Sequence, residues 1–193
     1  NIEKQIEKCE QARKNDASKA NKTGFDLYKN TQEDIKQLQA VLSKPDLKYQ
    51  LVADKLAEEI LQCSIDYFNN SMELDLDPGE DSLKLAEYAK IIAVGEKSKN
   101  RVSENYITIK EYNDEKPIRT KIDPIISLLN KYQNKVENAG VSANYNLAKE
   151  FVFSIKKHLD NIRLIIKKEQ YGSGFEYIKN VLTACAGFVN SCG

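Results

Sequence analysis

Apolar residues recur every three or four positions along nearly the whole chain, and very little interrupts them. In 193 residues there are only eight Gly and four Pro, so few segments can be built from turns. No stretch alternates apolar and polar side chains for long enough to argue for a strand. The recurrence is the one an amphipathic helix needs, because positions i, i+3, i+4 and i+7 share one face. The chain is therefore expected to be all-α, with antiparallel helical hairpins stacked as a bundle or short solenoid of about seven helices. Its length suits one domain with a real core, or two small ones.

The stripes locate the helices. Ile2, Ile6 and Cys9 mark the first. A second, from about Ser18 to Leu42, carries Leu27, Ile35, Leu38 and Leu42, and "SKPD" at Ser43–Asp46 stops it, because Pro disfavours helix in the residue before it. A third, Leu47 to Asn69, turns Val52, Leu56, Ile60, Cys63 and Tyr67 inward. A long fourth helix is expected from Ser82 to Tyr112, where Leu85, Tyr88, Ile92, Gly95, Lys99, Val102, Tyr106 and Ile109 alternate steps of three and four. "NDEKPIRTKIDP", Asn113–Pro124, has two Pro and dense charge and is the best candidate boundary. It divides an N-terminal helical region, 1–113, from a C-terminal one, 114–193, unless the two form one continuous domain. Helices are then expected near Pro124–Asn138, Ser142–Gln170 and Gly174–Asn190, with Gly140 as a C-terminal cap and Ser142 as the next N-cap.

Charge narrows the partners. The 29 basic and 29 acidic side chains cancel, so no long-range field gathers nucleic acid or an anionic membrane. Arg occurs only at 13, 101, 119 and 163, and Lys is the poorer residue for forked recognition of phosphates or bases. No nucleic-acid partner is expected. The longest nearly apolar run, Val181–Val189, is about half the roughly 20 residues of a spanning helix, so no membrane partner is expected either. No apolar leader opens the sequence. Cys9, Cys63, Cys185 and Cys192 form no C-x-x-C, and they read as reduced thiols of a cytoplasmic protein. On one helix, Cys185 and Cys192 would lie two turns apart, roughly 10 Å, too far to bond to each other. Bonds from Cys9 or Cys63 to that pair stay open, since connectivity cannot be read from spacing.

Catalytic motifs are missing. His158 is the only His and falls at the edge of an apolar helix face, where a solvated or hydrogen-bonded structural role is expected. There is no Gly-rich phosphate loop, G-x-S-x-G, H-E-x-x-H or Glu-x-x-His pair. A zinc site would need mixed carboxylate ligands that no spacing suggests. Glu58 and Glu59 are adjacent acids of the kind expected on a helix surface. No enzyme, cofactor or metal is expected.

"ELDLDPGEDSLKLAEYAK", Glu73–Lys90, invites a calcium reading and fails it. A calcium loop needs acids at positions 1, 3 and 5, Gly at 6 and Glu at 12. Starting at Asp75 puts Glu80 at 6 and Ala86 at 12, and starting at Glu73 puts Pro78 at 6 and Lys84 at 12. A helix start fits better, with Asp77 as N-cap, Pro78 at N1 and Glu80 completing a capping box. The same stretch resembles the junction between two tetratricopeptide repeats, where "LDP" ends one unit and the next helix carries a Leu-small pair. Such pairs occur at Leu56-Ala57, Leu85-Ala86 and Leu147-Ala148, spaced 29 and then 62 residues apart, against a repeat of about 34. Leu85 and Ala86 fall seven and eight residues after Pro78, two short of the family's spacing, so the likeness covers single helices. It implies stacked helical hairpins and a binding role, and carries over no functional residue.

The most informative helix is the one near Ser142–Gln170. Leu147, Ala148, Phe151, Val152, Ile155, Leu159, Ile162, Ile165 and Ile166 form one broad apolar face, with Lys149, Lys157, Asp160 and Lys168 opposite. Phe153 and Leu164 interrupt the polar side, eleven residues apart, and so must touch either a neighbouring helix or a partner. Lys149, Lys156, Arg163 and Lys167 recur along one side, with Asn161 and Tyr145 nearby. This basic rail either covers apolar surface with its stems or holds an acidic peptide by charge-assisted hydrogen bonds. The expected function is a non-enzymatic protein-interaction module that uses Lys149, Phe153, Lys156, Arg163, Leu164 and Lys167 for a protein or acidic peptide. A structural or self-assembling bundle, a homodimer through the long fourth helix, is the alternative, and an enzyme of unrecognised type comes third.

Overall fold

The computed structural model describes residues 1–138, 144–168 and 173–192, without the side chains of 162–168 and 173–175. The described residues form seven α-helices and no strand: α1 (Ile2–Asn15), α2 (Ala20–Val41), α3 (Leu47–Glu73), α4 (Gly79–Ile92), α5 (Glu96–Glu137), α6 (Asn144–Lys168) and α7 (Ser173–Ser191). A 3-10 turn at Ala17–Lys19 links α1 to α2. The chain is all-α, and it divides into two compact units, Asn1–Asn113 and Asp114–Gly193.

In the first unit α3 is the central helix and packs on α1, α2 and α4. Its sequence demands this, because Leu56, Ala57, Ile60, Leu61 and Cys63 are all fully buried and do not fit on one narrow stripe. Small residues let the neighbours come close. A Cβ at Gly24 of α2 would lie 2.8 Å from the Cys63 Cβ and 3.0 Å from a Leu85 methyl, so glycine here serves backbone approach. Tyr28 stacks on Tyr88 with centroids 3.8 Å apart, and Phe25 meets Tyr88 edge-on. Asp46 caps α3, accepting hydrogen bonds from Lys48 N and Tyr49 N, as the stop at "SKPD" requires.

Two features correct the sequence reading. The stripe from Leu85 to Ile109 buries Leu85, Ile92, Val102 and Ile109, while Lys99 is exposed. It is nonetheless two helices. Ala93 leaves the helical region (φ −57°, ψ 131°), and Asp54 of α3 accepts hydrogen bonds from Val94 N at 2.8 Å and Gly95 N at 3.0 Å. That carboxylate meets the free N–H groups and positive dipole at the start of α5. Conversely, the break expected at Asn113–Pro124 is helix, because α5 runs for 42 residues with Pro117 and Pro124 inside it. Each proline removes a donor and disfavours the helix by about 3 kcal/mol. Burial of Ile118, Ile122, Ile125, Leu129 and Tyr132 along the same helix, at about 1.5–3 kcal/mol per large side chain, offsets it.

The start of α4 also shifts. Asp77 Oδ1 accepts the Gly79 N–H at 3.0 Å, yet the helix begins at Gly79 with Pro78 as its cap. Gly79 has φ +42°, a left-handed conformation that favours glycine. Glu80 pairs with Lys84 at 3.5 Å.

The second unit gathers its core from the C-terminal part of α5, α6 and α7. Fully buried Phe151 sits edge-on to Tyr132 at 5.7 Å and to Phe188 at 5.1 Å between centroids. Such aromatic pairs add about 0.5–1.5 kcal/mol beyond area burial. Gly140, Ser142, Tyr171 and Gly172 lie outside the described residues, and α7 begins at Ser173, one residue before the expected start at Gly174.

Candidate functional site

The apolar face of α6 is wider than its two neighbours can cover. Ala148, Phe151 and Ile155 are buried in the second core, and Leu147 and Leu159 are packed against it. Val152, expected to point inward, is 47% exposed, beside Tyr145 at 59% and Phe153 at 83%. Among the described residues the second core draws on α5, α6 and α7 alone, which leaves the Val152 flank of α6 partly exposed. Tyr145, Ala148, Lys149, Val152, Phe153, Lys156 and Leu159, with Val189 of α7, line a cleft of about 490 Å³.

Lys149 and Lys156 are exposed, and the Lys149 Nζ lies 4.4 Å from the Tyr145 ring centroid, a cation–π contact that holds the ammonium at the cleft. On the same helix Glu150 faces Lys135 of α5 at 3.8 Å. The cleft therefore offers an apolar surface, two ammonium groups and one phenol. Among the described residues its lining holds no His, thiol or carboxylate. That set suits recognition of an apolar anchor flanked by carboxylates.

Of the residues singled out in the sequence, Lys149, Phe153 and Lys156 come together in this one cleft. Arg163, Leu164 and Lys167 lie outside the described side chains. Sequence reasoning missed Val152, placed on the wrong side, and Val189, whose proximity to α6 no local pattern encodes.

A second constellation was invisible in the sequence. In the first unit, Cys9 of α1 and Glu59 and Cys63 of α3 bring their ligand-type atoms within 4.8 Å of one another, all three residues buried. The two sulfurs are 3.4 Å apart. The pairing of Cys9 with Cys63 was not among those weighed from spacing. The Cys9 thiol pKa is pushed far up, first by its hydrogen bond with Cys63, then by burial and by the Glu59 carboxylate. Glu59 is committed elsewhere: Arg13 Nε donates to one of its oxygens at 3.0 Å and Nη2 to the other at 3.2 Å, while Nη1 donates to Asp66. Burial disfavours the Arg13 charge, but the hydrogen bonds to Glu59 and Asp66 outweigh it and push its pKa up. With both Glu59 oxygens on a guanidinium, the trio does not fit a cation.

Of the adjacent acids, Glu58 faces Arg101 at 3.9 Å and Glu59 is held by Arg13. The acids of 73–81 do not gather into a ligand cluster among the described residues. His158 is half-buried on α6. No helix among the described residues is long and apolar enough to cross a membrane. No protein-family model matches the chain, and neither curated proteins nor solved structures give a significant match to it.

Proposed function

We propose that the chain is a non-enzymatic interaction module whose α6–α7 cleft docks a partner protein through an acidic peptide segment bearing an apolar anchor. The supporting observation is Phe153, 83% exposed on the cleft that Val152, Leu159 and Val189 share with Lys149 and Lys156. Exposed aromatic surface of this kind, rimmed by charge, characterises protein contacts. The likeness of "LDPGEDSLKLA" to a tetratricopeptide junction points the same way, toward hairpin repeats that bind peptides. The cytoplasm is the proposed setting, supported by four buried free cysteines that serve as small apolar core residues.

Peptide display on the full chain tests this. Enriched peptides are expected to carry a bulky apolar residue flanked by Asp or Glu, and Phe153→Asp should abolish enrichment. Lys149→Glu with Lys156→Glu should turn the selection toward basic flanks. Enrichment indifferent to all three substitutions would overturn the reading. A concentration-dependent dimer in light scattering that Phe153→Asp dissolves would instead assign the surface to self-assembly.

A further inference from the structure

Cys9 and Cys63, separated by 54 positions, place their sulfurs 3.4 Å apart. A disulfide needs about 2.05 Å, so about 1.4 Å of closure is required, within the range of small side-chain rotations. The two thiols differ in access. Cys63 is fully buried, whereas Cys9 is 4% exposed and lines a cleft of about 210 Å³ with Gln5, Lys8, Thr23 and Asp26. A small oxidant entering there meets the Cys9 sulfur first, and Cys63 stands behind it. The bonded product is uncharged, which suits a buried site, and it leaves Glu59 with Arg13.

We propose that Cys9 and Cys63 are a modification site that closes into an intrachain disulfide, tying α1 to α3, when the protein meets a hydroperoxide. The Cys9 sulfur gives up its proton as it attacks one peroxide oxygen, and the O–O bond breaks. The leaving oxygen takes a proton and departs as water or an alcohol, and Cys9 becomes a sulfenic acid. The Cys63 sulfur then attacks the Cys9 sulfur, the S–O bond breaks, and hydroxide leaves as water with the Cys63 proton. Two thiols and one hydrogen peroxide thus give one disulfide and two waters. Glu59 and the shared hydrogen bond favour protonated Cys9, so the reaction is that of a slow sensor and not of a peroxidase.

The full chain treated with hydrogen peroxide, alkylated and digested with trypsin provides the test. The expected product joins peptide 9–13 to peptide 56–84, two hydrogens lighter than their sum, while Cys185 and Cys192 do not join it. The oxidised protein should unfold about 10 °C above the reduced one, because the closed loop restricts the unfolded chain, and a phosphine reductant should reverse this. Cys9→Ala, judged folded by circular dichroism, should show neither change. Oxidation of Cys9 to sulfinic acid without the crosslinked peptide, or a crosslink to a C-terminal cysteine instead, overturns the proposal. The wild-type peptide map decides this even if the variant does not fold.

Discussion

Arg13 is the residue on which the most buried charge depends. Its guanidinium serves Glu59 and Asp66 at once, and Glu59 is only 9% exposed. Arg13→Ala leaves that carboxylate buried without a counter-charge, and the expected loss is about 3–5 kcal/mol, read as a lower urea midpoint at unchanged slope. Arg13→Lys should recover only part of it, since an ammonium cannot fork across two oxygens. An unchanged midpoint in Arg13→Ala would show that the network contributes nothing net. None of this was legible in the sequence, where Arg13 and Glu59 are 46 positions apart and each reads as surface. Phe153 was legible, because an aromatic among lysines conflicts with the helical period of its own face.

At the scale of the helix, local signals were read correctly and weighted wrongly. Pro117 and Pro124 are strong breakers, yet both lie within α5, because the buried stripe Ile118, Ile122, Ile125, Leu129 continues through them. Pro117 is exposed, so Pro117→Ala removes no packing while restoring a helical donor. It should raise stability by about 1–3 kcal/mol, measured as a higher thermal midpoint. A neutral or destabilising result would place these residues outside a regular helix. The opposite error lies at Ala93–Gly95, where no proline marks the break. Asp54, some 40 positions earlier, takes the Val94 N–H, so the signal sits on another helix.

At the scale of the molecule there are two cores, one around α3 and one around Phe151. Phe151→Ala should cost about 3–5 kcal/mol and speed hydrogen exchange in α6 and α7, leaving α1 to α4 protected. Leu61→Ala should do the reverse. Loss of protection everywhere in either variant would show a single cooperative unit. The sequence by itself determined that the chain is helical and where most of its buried stripes run, because a 3.6-residue period and a shortage of breakers are local properties. Its helix number was also legible, though not where the middle helices divide. Only the tertiary structure decided that division, the closeness of Cys9 to Cys63, the Arg13 network and the cleft beside Phe153. Each depends on which helix lies against which, and that is settled by the packing of residues far apart in the chain.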